Sequence, residues 1–283
     1  MFSVVILTLN EERNLPLCLA SLADCDDVVV LDSGSKDQTA EIARAAGARV
    51  VVNPFENFAQ QRNFAHAHVA FEHPWVFHLD ADERMTAELL AEGRDWARKD
   101  PSDTDGFWVA PRMLFRGRWI PHCTDFPAYQ ARFVHATRFR FVQVGHGQRE
   151  APEMRMRRLT TNYLHDLSAD GEASLWEKHR RYARQEAAAH LAAKSSSCAT
   201  ANRAAFLMRP RLFSADPLSR RRALKALSQH LPARGLLRFL YQYVARRGFL
   251  DGRAGLAYCV LLANYEHWIA KEIRLQKRAV TVK

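Results

Sequence analysis

The chain has 283 residues, 48% hydrophobic and 25% charged, which suits a folded soluble protein: one large α/β domain, or a domain of about 200 residues with an appendage. Its net charge of +10 is uneven, with 24 Lys/Arg against 27 Asp/Glu in residues 1–194 (net −3) and 17 against 4 in residues 195–283 (net +13). Five scattered cysteines without a Cys-x-x-Cys pair point to a reducing compartment, and no apolar run approaches the roughly 18 residues of a membrane span.

Ser3–Leu9 (SVVILTL) is a continuous apolar run, as expected of a strand buried on both faces of a parallel sheet. No basic, apolar leader precedes it, so a cytoplasmic protein is expected. Arg13–Ala23 reads as a helix with Leu15, Leu19 and Leu22 inward, and Asp27–Leu31 as a second buried strand. Ser35, with Gln38 three residues on, reads as a capping box opening a helix that stops at Gly47. Val50–Val52, helix Asn57–Val69, strand Trp75–Asp80 and helix Thr86–Lys99 follow. After Pro101 the helices lapse. Asp105–Pro111, Tyr129–Val134 and Phe139–Val144 read as short, antiparallel strands on the sheet edge, and Glu172–Lys194 as a long amphipathic helix. A boundary is expected at Ser195-Ser196-Ser197, between a domain at 1–194 and basic helices at 195–283.

Strand–helix alternation at this spacing gives right-handed β-α-β units and an open, mostly parallel sheet, which binds ligands outside the carboxyl ends of its strands. Polar residues fall at that edge on three strands: Asn10 and Glu11, Asp32, and Asp80 with Asp82. Side chains two apart on a strand point the same way, so Asp80 and Asp82 in WVFHLDADER are expected side by side. Two hard oxygen donors suit Mg2+ or Mn2+, whose coordination substrate phosphates complete. An isolated Asp-x-Asp is also common in acidic turns; the other strand ends give this one its context.

SVVILTLNEERNLPLCLASL, VVVLDSGSKDQTAEIA, FAQQRNFA and WVFHLDADE, in that order, resemble the inverting family-2 glycosyltransferases of GT-A fold, in the bacterial branch that builds lipopolysaccharide core or lipid-linked saccharides. The resemblance covers residues 3–165, and RRGFLDGRAGLAYCVLL resembles the branch's tail more loosely. It implies a nucleoside held by the end of the first strand (Thr8, Asn10, Glu11) and by Asp32, with Arg62 approaching the diphosphate. Asp80 would contact ribose or metal, Asp82 the metal, and His165 would complete the metal site. The donor implied is a nucleoside diphosphate sugar, a UDP-sugar first, and the acceptor a lipid-linked saccharide or lipopolysaccharide core.

Inversion needs a general base for the acceptor hydroxyl, sited after the Asp-x-Asp. The candidates are Glu150, favoured because it ends FVQVGHGQRE just past a Gly-rich turn, where the resemblance implies the acidic base, then Asp125 and His146. Pro127-Ala128-Tyr129-Gln130 stands where the branch has Pro-Asp-Tyr-Gln, which removes another carboxylate. Against these roles stand ordinary ones: Arg62 as a surface arginine paired with Glu56 or Asp32, and Glu150 bridged to Arg149 or Arg155. His66 and His68 face different ways on a helix, and His122-Cys123 lacks a partner pair at zinc spacing. In residues 203–253 arginines interleave with Leu, Phe and Tyr, a composition suited to helices lying on an anionic membrane surface or packed with a solvated basic face. The expected location is the inner face of the cytoplasmic membrane, peripherally. A nucleotidyltransferase on the same fold is one alternative; it lacks a Gly-rich triphosphate loop. A nucleic-acid binder is the other, and acidic strand edges argue against it, so no nucleic acid is expected.

Overall fold

A computed structural model describes residues 1–124, 126–144, 147–196 and 233–281, without side chains at 189, 190, 192–196 and 277–281. Asp125, His146, the serine boundary at Ser197, and Arg220-Arg221-Arg222 lie outside the described residues. The described chain divides into two compact units: Met1–Pro121 with Asp125–Asp170, and His122–Thr124 with Gly171–Lys283.

In the first unit, parallel strands β1 (Ser3–Thr8), β2 (Val28–Asp32), β3 (Arg49–Val52) and β4 (Trp75–Asp80) lie in the order β3-β2-β1-β4. Both faces of β1 are covered. Val4 and Ile6 join Leu15 and Cys18 of α1 (Leu15–Ala20), Ala43 of α2 (Thr39–Ala45), and Leu89 and Leu90 of α4 (Ala87–Lys99). Val5 and Leu7 join Ala65 of α3 (Phe58–His68) on the other face. That double burial is why the first strand is uniformly apolar rather than alternating. α3 and α4 begin as expected, capped by Asn57, whose side chain accepts from Gln60 N, and by Thr86, which accepts from Leu89 N.

Three expectations need correction. The helix expected from Ser35 begins at Thr39, because the hydroxyls of Ser35 and Thr39 are used on the β1 loop, accepting from Asn10 N and Glu11 N at 2.8 Å. The first helix is shorter than Arg13–Ala23. The extension is also not simply antiparallel at the edge. β8 (Gln130–His135) runs antiparallel between β4 and β6 (Gly106–Phe115), while β6 pairs in parallel with β11 (Met156–Asp166). β5 (Glu83–Arg84) pairs with β11, and β7 (Arg118–Trp119) with β6. β9 (Phe141–Val144) leaves the sheet and forms a hairpin with β10 (Gly147–Glu150). β8 sits centrally because Phe133 packs on Trp75, Phe77 and Phe107, a burial no edge strand could give it.

The second unit contains α5 (Glu172–Ser196), α6 (Arg234–Phe239, continued by a π-helical turn, Leu240–Ala245) and α7 (Gly252–Thr281). Trp176 of α5 meets Trp268 of α7 edge to face at 5.5 Å, and Tyr265 donates to Glu186 at 2.7 Å. At the α6–α7 crossing only glycine fits at 235, since a Cβ there would stand 2.6 Å from the Ala263 carbonyl oxygen. Asp251, buried ahead of α7, accepts from the His122 and Cys123 amides and from His122 Nδ1.

Candidate active site

The parallel register sets Leu7 beside Asp80 and Thr8 beside Asp32, so the acidic strand ends lie level at the carboxyl edge. After β1 the chain turns at Asn10, whose φ of 56° is left-handed, a conformation asparagine tolerates better than most residues. Lys36 N donates to Asn10 Oδ1 at 2.8 Å, tying the β1 loop to the β2 loop. Glu11 accepts from Asn14 Nδ2 at 2.7 Å. Asp32 is buried, and both of its oxygens are occupied: Oδ1 by the hydroxyls of Thr8 and Ser35, Oδ2 by the amides of Gly34 and Ser35. Those four donors fill a carboxylate's usual capacity, so in this structure Asp32 organises the loop.

Asp80 closes β4, and the chain then turns through Ala81 and Asp82, so strand alternation no longer aligns the two carboxylates. They have separate partners. Asp80 accepts from Arg62 Nη2 at 2.8 Å and Arg132 Nη2 at 3.0 Å, while Asp82 Oδ2 stands 3.4 Å from His165 Nε2. Arg62 is not a surface residue paired with Glu56 or Asp32. It is 1% exposed on α3, and its Nε and Nη1 are buried without a partner.

Two residues that sequence patterns did not single out hold this arrangement together. Glu83 is fully buried, accepting from Asp80 N at 2.8 Å and Arg132 Nη2 at 2.6 Å; His165 Nδ1 lies 3.4 Å away. Arg132, inward on β8, also crosses the Tyr163 ring at 5.4 Å. Burial and the Asp80 charge push the Glu83 carboxyl up to about 7, against the pull of Arg132. Burial opposes ionisation of Asp80, but Arg132 and Arg62 outweigh it and hold its carboxyl well below the usual range. Burial likewise disfavours a charged His165, yet the Asp82 hydrogen bond and the Glu83 charge raise it to about 9. A charged pair enclosed in this way needs several partners to offset desolvation, and each group here has at least one.

A cavity of about 510 Å³ opens at Asp80, lined by Arg62, Arg132, Phe58, Trp108, Tyr129–Arg132, Gly147–Glu150 and Arg158. It brings Asp80, Arg62 and Glu150 together. Thr8, Asn10, Glu11, Asp32, Asp82 and His165 are not among its lining residues. Glu150, half-buried at the end of β10, forms no ion pair among the described residues, and Arg155 is taken by Asp105 at 2.6 Å. Among the described residues no three His, Cys, Asp or Glu side chains converge at ligating distance. For a divalent metal, Asp82 and His165 supply suitable oxygen and nitrogen donors. Asp80 as placed does not, since both its oxygens face guanidiniums.

Residues 3–158 match the family described as Glycosyl transferase family 2, and the chain belongs to that family. It is 40% identical over 98 residues to the lipopolysaccharide core biosynthesis glycosyltransferase LpsC of Rhizobium meliloti (32% of this chain, 36% of that one). It is 36% identical over 91 residues to the uncharacterized glycosyltransferase RT0209 of Rickettsia typhi (32% and 30%). The chain thus spans about a third of the length of these curated relatives. Among solved structures it is similar to glucosyl-3-phosphoglycerate synthase from Mycobacterium tuberculosis, crystallised with Mn2+, UDP and glucosyl-3-phosphoglycerate: TM-score 0.33, 24% identity, 40% of this chain and 44% of that one. The open, mostly parallel sheet with its antiparallel insertion is the α/β arrangement that the resemblance to GT-A enzymes implied.

Proposed function

We propose that the protein is an inverting, divalent-metal-dependent glycosyltransferase that moves a hexose from a UDP-sugar to a lipid-linked saccharide or lipopolysaccharide-core acceptor. The observation that carries this reading is the cavity at the carboxyl edge of β4, where Asp80, Arg62 and Glu150 share one lining. In this reading, the loop built by Thr8, Asn10, Glu11 and Asp32, outside that lining, borders the nucleoside. The free Nε and Nη1 of Arg62 meet diphosphate oxygens, which suit its planar fork. Asp82 and His165 would hold Mg2+ or Mn2+, which when bound offsets charge on the departing diphosphate. Glu150 takes the proton of the acceptor hydroxyl as that oxygen bonds to the anomeric carbon. The bond from that carbon to the phosphate oxygen breaks, its electron pair leaving with the diphosphate.

The similarity to the lipopolysaccharide core biosynthesis glycosyltransferase LpsC of Rhizobium meliloti supports a lipopolysaccharide-related acceptor. The same proposal divides the chain into a catalytic domain at 1–194 and a basic, membrane-associating region at 195–283. No helix among the described residues is long and apolar enough to cross a membrane. α6 and its π-helical turn expose Leu236, Leu237, Leu240, Tyr241 and Val244, with Arg238, Arg246 and Arg247 in the same segment. Apolar side chains flanked by cations suit an anionic bilayer surface. The deciding experiment is transfer from UDP-hexose by Asp82→Ala and Glu150→Gln: both should lose transfer while remaining folded. Full activity in Asp82→Ala would refute the proposal.

A further inference from the structure

The arginines around the cavity divide into two groups. Those on neighbouring segments outside its lining are matched: Arg140 with Glu153 at 2.8 Å, Arg155 with Asp105 at 2.6 Å and Arg157 with Asp103 at 2.7 Å. Arg149 on β10 and Arg158 on β11, which line the cavity, have no carboxylate partner among the described residues. Arg158 instead lies against aromatic rings, 4.7 Å from the Tyr129 centroid and 5.9 Å from that of Trp108. Deeper in the same cavity, Arg62, itself 1% exposed, keeps Nε and Nη1 buried and unpartnered. Four guanidiniums thus line a cavity whose wall carries two carboxylates, Asp80 and Glu150, and Asp80 is already spanned by two of the four.

Unmatched guanidiniums beside exposed aromatic faces have a specific use. Tyr129, 40% exposed, carries the Arg158 guanidinium over one face of its ring and keeps further apolar surface open to a pyranose ring, while Arg158 and Arg149 of the same lining offer paired N–H donors. A neutral sugar would satisfy the ring and leave the arginines unpaired; a sugar bearing an anion would satisfy both. Burying donors without partners is costly, so the site discriminates in favour of the charged ring.

We propose that the outer part of this cavity binds an anionic sugar unit of the acceptor, its ring on Tyr129 and its carboxylate or phosphate held by Arg149 and Arg158. That the sugar belongs to the acceptor rests on the function proposed above; the anionic-sugar site itself does not.

The test is ligand-observed NMR titration of the full chain with three probes: methyl β-glucuronide, glucose 6-phosphate and the neutral methyl β-glucoside. Each is titrated with and without saturating UDP and Mn2+. At least one anionic probe should bind about tenfold more tightly than the neutral one, and UDP should leave that binding in place. Arg158→Gln and Arg149→Gln should each weaken it about five- to tenfold, and Arg158→Lys should restore part of the loss. Both replaced side chains are exposed and outside any ion pair among the described residues, so the variants should keep the parent circular dichroism and Tm. Preference for glucuronide or for the phosphate identifies the anion as carboxylate or phosphate. Equal binding of the neutral probe, indifference to the substitutions, or displacement by UDP would overturn the proposal; the last would assign these arginines to the donor. A protein that binds the anionic probe but not UDP would retain this site and lose the transferase reading, so the two failures are distinct.

Discussion

Arg132 holds Glu83 at 2.6 Å with both side chains buried, and the same Nη2 also donates to Asp80. Removing one member of a buried ion pair leaves the other uncompensated, which costs about 3–5 kcal/mol. Arg132→Met should therefore lower stability by roughly that amount in urea unfolding, and Glu83→Gln in the same chain should recover much of it. Additive losses in the two single variants would mean that the pair is not the coupled unit described here.

A second buried pair sets a pH limit. His66 Nε2 and His78 Nε2 lie 2.8 Å apart, and burial followed by the Arg62 charge holds both imidazoles neutral, His66 down at about 4. Between the unfolded value of 6.5 and about 4, the unfolded chain binds protons that the folded chain refuses. Stability is thus complete above pH 6.5 and declines as pH falls towards 4, by up to roughly 3 kcal/mol from His66. Urea midpoints at pH 7 and 4.5 should show this slope, and His66→Gln should flatten it. An unchanged slope would assign the acid sensitivity elsewhere.

Asp32 concentrates four donors on one buried carboxylate, two of them the amides of Gly34 and Ser35. In Asp32→Asn the amide nitrogen faces donors, leaving at least one unsatisfied at about 1–3 kcal/mol. Faster hydrogen exchange at the Gly34 and Ser35 amides, with the β1 and β4 amides unchanged, is the expected outcome. Unaltered protection at 34 and 35 would contradict the organising role of this carboxylate.

The α6 stripe gives a prediction for the second unit. Leu240 and Val244 are 46% and 56% exposed, so charging them should leave the fold intact. Leu240→Glu with Val244→Glu should lower cosedimentation with phosphatidylglycerol vesicles about tenfold or more, through lost apolar insertion and added repulsion from the anionic surface. Parent-like binding by the double variant would exclude this face as the membrane contact.

The central strands were legible in the sequence because β1, β2 and β4 are buried on both faces, and a short, unbroken run of apolar side chains suits few positions besides the middle of such a sheet. The helix starts at Asn57 and Thr86 were equally visible, and local side chain–backbone bonds fix them. β11 was not: MRRLTTNYLHD is polar, buries only Leu159 and Tyr163 fully, and is held by its pairing with β6 fifty residues away. Arg62, Glu83 and Arg132 were hard to place for a related reason. A charged residue reads as surface unless its partner is known, and each of these partners comes from a different part of the chain. The neighbouring acids of the Asp-x-Asp were conspicuous, but their separation into an arginine-bound Asp80 and a histidine-facing Asp82 depends on the turn at Ala81–Asp82 and on β8 and β11.

The most direct measurement is calorimetric titration of UDP into the parent protein and Asp82→Ala, each with and without Mn2+. The proposed site predicts micromolar binding to the parent that requires the metal and is lost in Asp82→Ala. Failure of the folded parent to bind UDP under either condition, or metal-dependent binding undiminished in Asp82→Ala, would contradict it.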